Sequence, residues 1–265
     1  MAAGVPWTIE EGGGPLVACA VHAGSEVRSE ALRHMAIRRA ARFVEEDPFT
    51  DQLTAVAPTS IVVHRSRFEV DMNRARERSV YRTPGDAWGL TVWRGPLPAT
   101  VRQRSLRLYD RFYADLSAVL ARAGAGGRPF VVLDLHSYNH RRGGPSAAPA
   151  DPAGHPDVNV GTGSMDRDRW GPLVDRFMAD LGSVEVPYGA GRLDVRENVV
   201  FKGRHLAQWV HDRYPRTGCA LAIEVKKFFM DEHTGQLDDG LTRAVGDALA
   251  ATVPGVVDEV GGPLR

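Results

Sequence analysis

The chain has 265 residues, 43% hydrophobic and 25% charged, with 33 basic and 33 acidic side chains and no formal net charge. That length can bury a sizeable core, and the balanced charge gives no global field to draw the protein onto nucleic acid or an acidic membrane. No apolar run approaches the roughly 20 residues that span a bilayer, and the start, Met1 to Trp7, lacks the basic and apolar regions of a secretory signal.

The two cysteines, Cys19 and Cys219, lie in apolar stretches and read as free thiols of a reducing, cytoplasmic compartment. In chain order, Leu16 to Val21 is an apolar run after a Gly-Gly-Gly-Pro turn signal, and it predicts a buried strand ending at His22. Residues 29–45 carry Leu32, Met35, Ala36, Ala40 and Phe43 at helical spacing, which predicts one helix. Ser60 to Val63 predicts a further strand that leads into a polar stretch from Arg65 to Arg78. An amphipathic helix is expected over 105–121, with Tyr109, Phe112, Leu116, Val119 and Leu120 on one face and Gly124, Gly126 and Gly127 beyond its end. Pro129 to His136 is the strongest strand signal.

Residues 139–157 hold Gly, Pro and Ala with no apolar period, and predict a loop that serves as a functional flap or as a mobile surface segment. Helices are expected near 168–181, 203–213 and 236–251, with another apolar strand over Cys219 to Val225. Strands alternating with helices predict an α/β protein whose mostly parallel or mixed sheet is covered on both faces. A single domain over residues 1–265 is expected, since no internal repeat or linker divides the chain.

In open α/β sheets ligands collect at the carboxyl ends of strands. Here His22 and His136 end strands, and Glu224 sits within Ala-Leu-Ala-Ile-Glu-Val. A carboxylate so placed costs several kcal/mol to desolvate unless it is paired, coordinated or set at a wet cleft. Lys226 or a nearby arginine is its ordinary partner. Each histidine alone reads equally as a satisfied core residue. Asp134, two residues before His136 on the same strand face, is placed to orient that ring or to stabilise the following loop. A catalytic zinc takes about three protein ligands and keeps one position for water. Two histidines therefore need a carboxylate, for which Glu26 and the cluster Glu45-Glu46-Asp47 are the candidates. That cluster follows a helix against its dipole, a placement that asks for a reason. Asn159, Gly161 and Thr162 read as a pocket floor or an ordinary turn. Trp88 and Trp93 read as packing residues, and His140 and His155 as solvent-facing loop residues.

Seven short motifs follow one another in a telling order. They are His22-Ala-Gly24, Glu46-Asp-Pro-Phe-Thr-Asp51, Ser66 to Arg74, Asp134-Leu-His-Ser137, Pro156 to Thr162, Phe201-Lys-Gly203 and Ala222-Ile-Glu-Val225. Together they resemble the N-formylglutamate amidohydrolase family, and more distantly zinc carboxypeptidases and aspartoacylase-type deacylases. The resemblance spans about residues 16–232. It implies a three-layer α/β/α sandwich of the zinc-carboxypeptidase kind with a metal site at the strand ends. Carried onto this chain, it makes His22 and His136 zinc ligands and Glu224 the general base. It makes Asp47 the third ligand, with Glu46 as the alternative.

Asn73 and Arg74 fall where related enzymes hold a substrate carboxylate or polarise its carbonyl, and Arg204 and Asn159 are further substrate-binding candidates. Two departures bear on substrate choice. Val21 replaces the family's usual proline, and Gly203-Arg204 replaces its paired glycines. The expected activity is zinc-dependent hydrolysis of a small-molecule N-formyl or N-acyl amino acid. The alternatives are a deacylase or carboxypeptidase acting on a larger substrate, and a non-catalytic metal- or ligand-binding relative. Neither nucleic acid nor membrane is an expected partner.

Overall fold

The computed structural model describes residues 5–261. Its strands are β1 (Trp7–Glu11), β2 (Leu16–Ala20), β3 (Thr59–Val63), β4 (Phe130–Tyr138), β5 (Val158–Gly161), β6 (Val195–Glu197) and β7 (Gly218–Lys226). The helices are α1 (Ser29–Leu32), α2 (Arg39–Glu45), α3 (Thr50–Leu53), α4 (Ala99–Ala123), α5 (Arg167–Ser183), α6 (His205–Arg213) and α7 (Asp239–Val260). The strands form one seven-stranded sheet in the order β1-β3-β2-β4-β7-β5-β6. Its centre, β3-β2-β4-β7, is parallel, while β1 runs antiparallel to β3 and β5 antiparallel to β7. The sheet is therefore mixed, with helices on both faces, and the fold is the three-layer α/β sandwich.

Side-chain alternation in the strands decides which residues face which layer. Phe130 and Val132 of β4 join the core under α4 and α6, whereas Val131, Leu133 and Leu135 join the core under α5 and α7. All nine residues of β4 and all nine of β7 are buried, as a central strand covered on both faces demands. By the same parity Asp134 and His136 share the face of Phe130 and Val132. Glu224 pairs in register with His136 on β4 and with Asn159 on β5. Strand geometry alone thus gathers these four polar side chains on one face.

The helix expected over 105–121 begins six residues earlier, at Ala99, and two others depart further from the sequence expectation. Residues 29–45 form two helices because the intervening backbone is claimed elsewhere. Met35 bridges Trp93, and the Ala36 N–H donates to Val92 O at 2.9 Å. The last helix starts at Asp239 and runs on through Pro254 to Val260, well past the expected end near residue 251. Burial of Val256 and Val260 in the α5/α7 core offsets the backbone hydrogen bond that proline cannot donate. Among the described residues no helix is long and apolar enough to cross a membrane.

His211 on α6, 8% exposed, gives the fold an acid-sensitive joint. Its Nε2 accepts the Ala220 N–H at 3.0 Å, so the neutral ring carries its proton on Nδ1, 2.8 Å from the Ser164 hydroxyl. Burial pushes the imidazole down to about 4, against roughly 6.5 in an unfolded chain. With the folded value depressed, this contribution is fully present above the unfolded value and is lost as pH falls through the folded one. The loss amounts to on the order of 3 kcal/mol. Urea melts of wild type beside His211→Gln, whose amide can still accept from Ala220, should show the wild type's margin shrinking by that amount between about pH 7 and 4. Parallel stability curves would refute it.

Candidate metal centre

His22 lies just past β2, in a turn that closes against the end of β3. A Cβ on Gly24 would meet the His64 backbone at 2.0 to 2.4 Å, so the His22-Ala-Gly24 turn needs its glycine for that approach. Asp47 follows α2, and its N–H donates to His22 O at 3.0 Å, tying two candidate ligand segments together by backbone. His136 comes from β4. Asp47 Oδ2 lies 2.9 Å from His136 Nδ1 and 3.3 Å from His22 Nδ1, and one ligand atom from each residue falls within 4.8 Å of the others. All three residues are buried.

Each ring has an acidic partner on its far side. His22 Nε2 is 2.7 Å from Asp71 Oδ1, and His136 Nε2 is 2.9 Å from Asp134 Oδ1. Such carboxylates fix which imidazole nitrogen is left to face a metal and make it a better donor. Burial pushes Asp47 upward, but the hydrogen bond to His136 Nδ1 and the nearness of both imidazole rings hold it well below the usual carboxylate range. Burial likewise raises Asp71, and the charges of His22 and Arg67 outweigh it. His22 Nδ1 is a buried nitrogen with no hydrogen-bond partner. Two imidazoles and a carboxylate converging on one point, one of the nitrogens otherwise unsatisfied, fit a zinc ion's nitrogen and oxygen donors.

The other candidates for the third ligand are engaged elsewhere. Glu46 accepts from Ser66 Oγ and lies 3.8 Å from Arg42, and Glu26 is exposed. Lys226 pairs with Asp157 at 2.8 Å and so does not neutralise Glu224. Burial pushes the Glu224 carboxyl up to about 7, opposed by the charge of His136.

These residues line a cavity of about 50 Å³ whose lining also includes Asn73, Arg67, Trp88, Arg204 and, from the 139–157 loop, Arg142. Asn73 Nδ2 is 3.0 Å from His136 Nε2, while its Oδ1 accepts the Leu206 N–H at 2.8 Å. Asn159 Oδ1 accepts from Val200 N–H and its Nδ2 donates to Phe201 O, both at 2.8 Å, so its side chain holds the 198–201 loop.

Arg74 is not in the lining. Its guanidinium packs over Tyr81, 4.8 Å from the ring centre, donates to Asp86 O at 2.7 Å and pairs with Asp71 at 3.3 Å. Arg67, which the sequence reading did not single out, is there instead, 7% exposed and held by Asp71, Tyr81 and the Glu45 carbonyl. Both arginines belong to one loop without regular period, so spacing carried no signal of which one turns inward. Trp88 is 41% exposed at the cavity and stacks under Arg67, whereas Trp93 is buried as expected of packing. The His140 side chain is nine-tenths buried beside Glu232 rather than facing solvent.

The model of the family described as N-formylglutamate amidohydrolase matches residues 14–230. The chain belongs to the N-formylglutamate amidohydrolase family. The crystal structure of N-formylglutamate amidohydrolase from Ralstonia eutropha JMP134 is similar over 97% of this chain and 99% of its own, with TM-score 0.75 and 19% identity. A gene product of Agrobacterium tumefaciens is similar over 96% of each chain, with TM-score 0.55 and 16% identity. A metallo-carboxypeptidase from Burkholderia cenocepacia gives TM-score 0.36 at 17% identity, covering 92% of this chain and 56% of its own. No curated protein sequence matches. Family membership places the chain among the amidohydrolases, hydrolases of small molecules.

Proposed function

We propose that this chain is a zinc-dependent hydrolase of the amide bond of an N-formyl or N-acyl amino acid of the N-formylglutamate kind, with one catalytic domain. The observation that carries the reading is the convergence of His22, Asp47 and His136 beside Glu224 in one buried cavity. Zinc held by those three residues would supply Lewis-acid polarisation of the acyl carbonyl and acidify water towards neutral pH. Glu224, whose carboxyl sits at about 7, is poised to take a proton from the attacking water and deliver it to the leaving nitrogen. Arg67 is pre-fixed by its three partners, so it meets the charge developing on the carbonyl oxygen without reorganising. In this role it replaces Arg74. Arg204, exposed at the cavity, is the cation free to grip a substrate carboxylate through its planar fork. Asn73, anchored by the Leu206 N–H on its Oδ1, lines the cavity beside His136, and Asn159 shapes the floor by holding the 198–201 loop.

The cavity of about 50 Å³ admits water-sized groups and not an amino-acid derivative. The Arg142–Glu45 ion pair, 3.1 Å long, ties the 139–157 loop to the cavity rim, so this loop is the segment whose displacement would widen the site for a substrate.

The test is metal analysis of freshly purified protein, followed by amine release from a panel of N-formyl and larger N-acyl amino acids. About one zinc per chain and hydrolysis of at least one member are expected, and the preferred member names the substrate. A protein without metal that stays inactive after zinc is added would defeat the proposal.

A further inference from the structure

Lys227 is only 1% exposed, a placement lysine rarely takes without a full set of partners. Its Nζ donates to Val44 O and to Glu46 O, both at 2.7 Å, and to Asn139 Oδ1 at 2.8 Å. An ammonium has three donors, so none remains for a substrate although the residue lines the cavity.

The significance lies in what those acceptors belong to. Val44 O and Glu46 O are carbonyls at the end of α2, and Glu46 leads directly into Asp47. Asn139 follows β4, on the segment that carries His136, and Lys227 itself follows β7, on the segment that carries Glu224. One buried cation thus joins the backbone of the Asp47 loop to the two strands bearing the other histidine and the base. It also resolves the misplaced acidic cluster, because a cation on the terminal carbonyls is what a helix C-terminus favours.

We propose that Lys227 is a positioning residue that sets the Asp47 loop against His136 and Glu224 and thereby sets metal affinity. The Asp47 N–H bond to His22 O fixes one side of that loop, and Lys227 fixes the other. The proposal rests on the metal reading above.

The experiment is competition for zinc against a coloured chelator, using metal-free wild type, Lys227→Met and the core control Leu249→Ala, well below the melting temperature of each. Lys227→Met should bind zinc about 10- to 100-fold more weakly, the usual effect of losing a residue that orients ligands. Leu249→Ala, buried on α7 in the opposite layer, should melt earlier but bind zinc as wild type does. Unchanged affinity in a folded Lys227→Met would overturn the proposal and leave the lysine a core stabiliser. Should that variant not fold, Asn139→Ala removes one acceptor and should weaken zinc about fivefold, the worth of one ordinary hydrogen bond; no change there overturns the proposal as well. Wild type that binds no zinc is a separate result, which removes the metal reading and the positioning role with it.

Discussion

His136→Ala is expected to leave the purified protein without stoichiometric zinc and to reduce amide hydrolysis to background. Zinc sites with four protein ligands bind with about 10–16 kcal/mol, so each ligand carries roughly 3 kcal/mol, or about two orders of magnitude in affinity. Here the loss falls on a set of three, in which His136 Nδ1 and His22 Nδ1 share the Asp47 oxygen. A second effect separates this variant from a simple ligand deletion. In the metal-free protein Asp134 is fully buried, and the His136 ring nitrogen 2.9 Å away is its close cationic neighbour. Removing the ring leaves that charge uncompensated, which should lower stability by about 3 kcal/mol. Metal analysis, thermal melting and turnover on the same preparations check all three effects. A folded His136→Ala that keeps one zinc per chain would remove this histidine from the site.

The central strands were legible because full burial on both faces writes itself as apolar runs, broken here only by a few polar residues towards their carboxyl ends. Leu16–Ala20, Phe130–Tyr138 and Gly218–Lys226 all have that character. The edge strands β1 and β6 and the short inner strand β5 carry no such mark. β1 shows alternating exposure, β5 has four residues and β6 three, none buried in β6, so neighbours rather than composition make them strands. Within the candidate site, His22, His136 and Glu224 stood out because each interrupts or ends an apolar run, where a polar group needs a reason.

Asp47 became distinct from Glu46 only through the order of motifs. Once the loop folds, the two neighbours point apart, one to the histidines and the other to Ser66. The Arg67 and Arg74 assignments were illegible for a related reason, since which guanidinium enters the cavity is decided by Tyr81 and Asp86 from elsewhere in the chain. Lys227 was hidden most completely. A lysine after an apolar strand reads as its wet end, and only tertiary structure brings three acceptors around it.

Glu224→Gln should keep its zinc, fold normally and lose turnover by about 10²- to 10⁴-fold, the range general acid–base catalysis supplies. The amide fills the same space beside Asn159 and His136 but cannot take a proton from water. The variant should also expose what the carboxylate costs the fold. In the metal-free protein burial raises this carboxyl to about 7, against roughly 4.3 in an unfolded chain. Because the folded value is the higher one, the fold loses stability as pH rises between the two values, and the loss is complete above the folded one. Glutamine carries no such penalty. After zinc removal, Glu224→Gln should therefore be more stable than wild type by on the order of 3 kcal/mol above pH 7, with the advantage fading to nothing below about pH 4.

Those two results together distinguish a base from a structural carboxylate. A residue kept for stability would weaken the protein when replaced, whereas a base held in an apolar strand for chemistry should strengthen it while silencing the reaction. Melting curves of both metal-free proteins across that pH range, set beside turnover of the zinc-loaded forms, give the answer. A variant that hydrolyses the amide at the wild-type rate would transfer the role of base to another group.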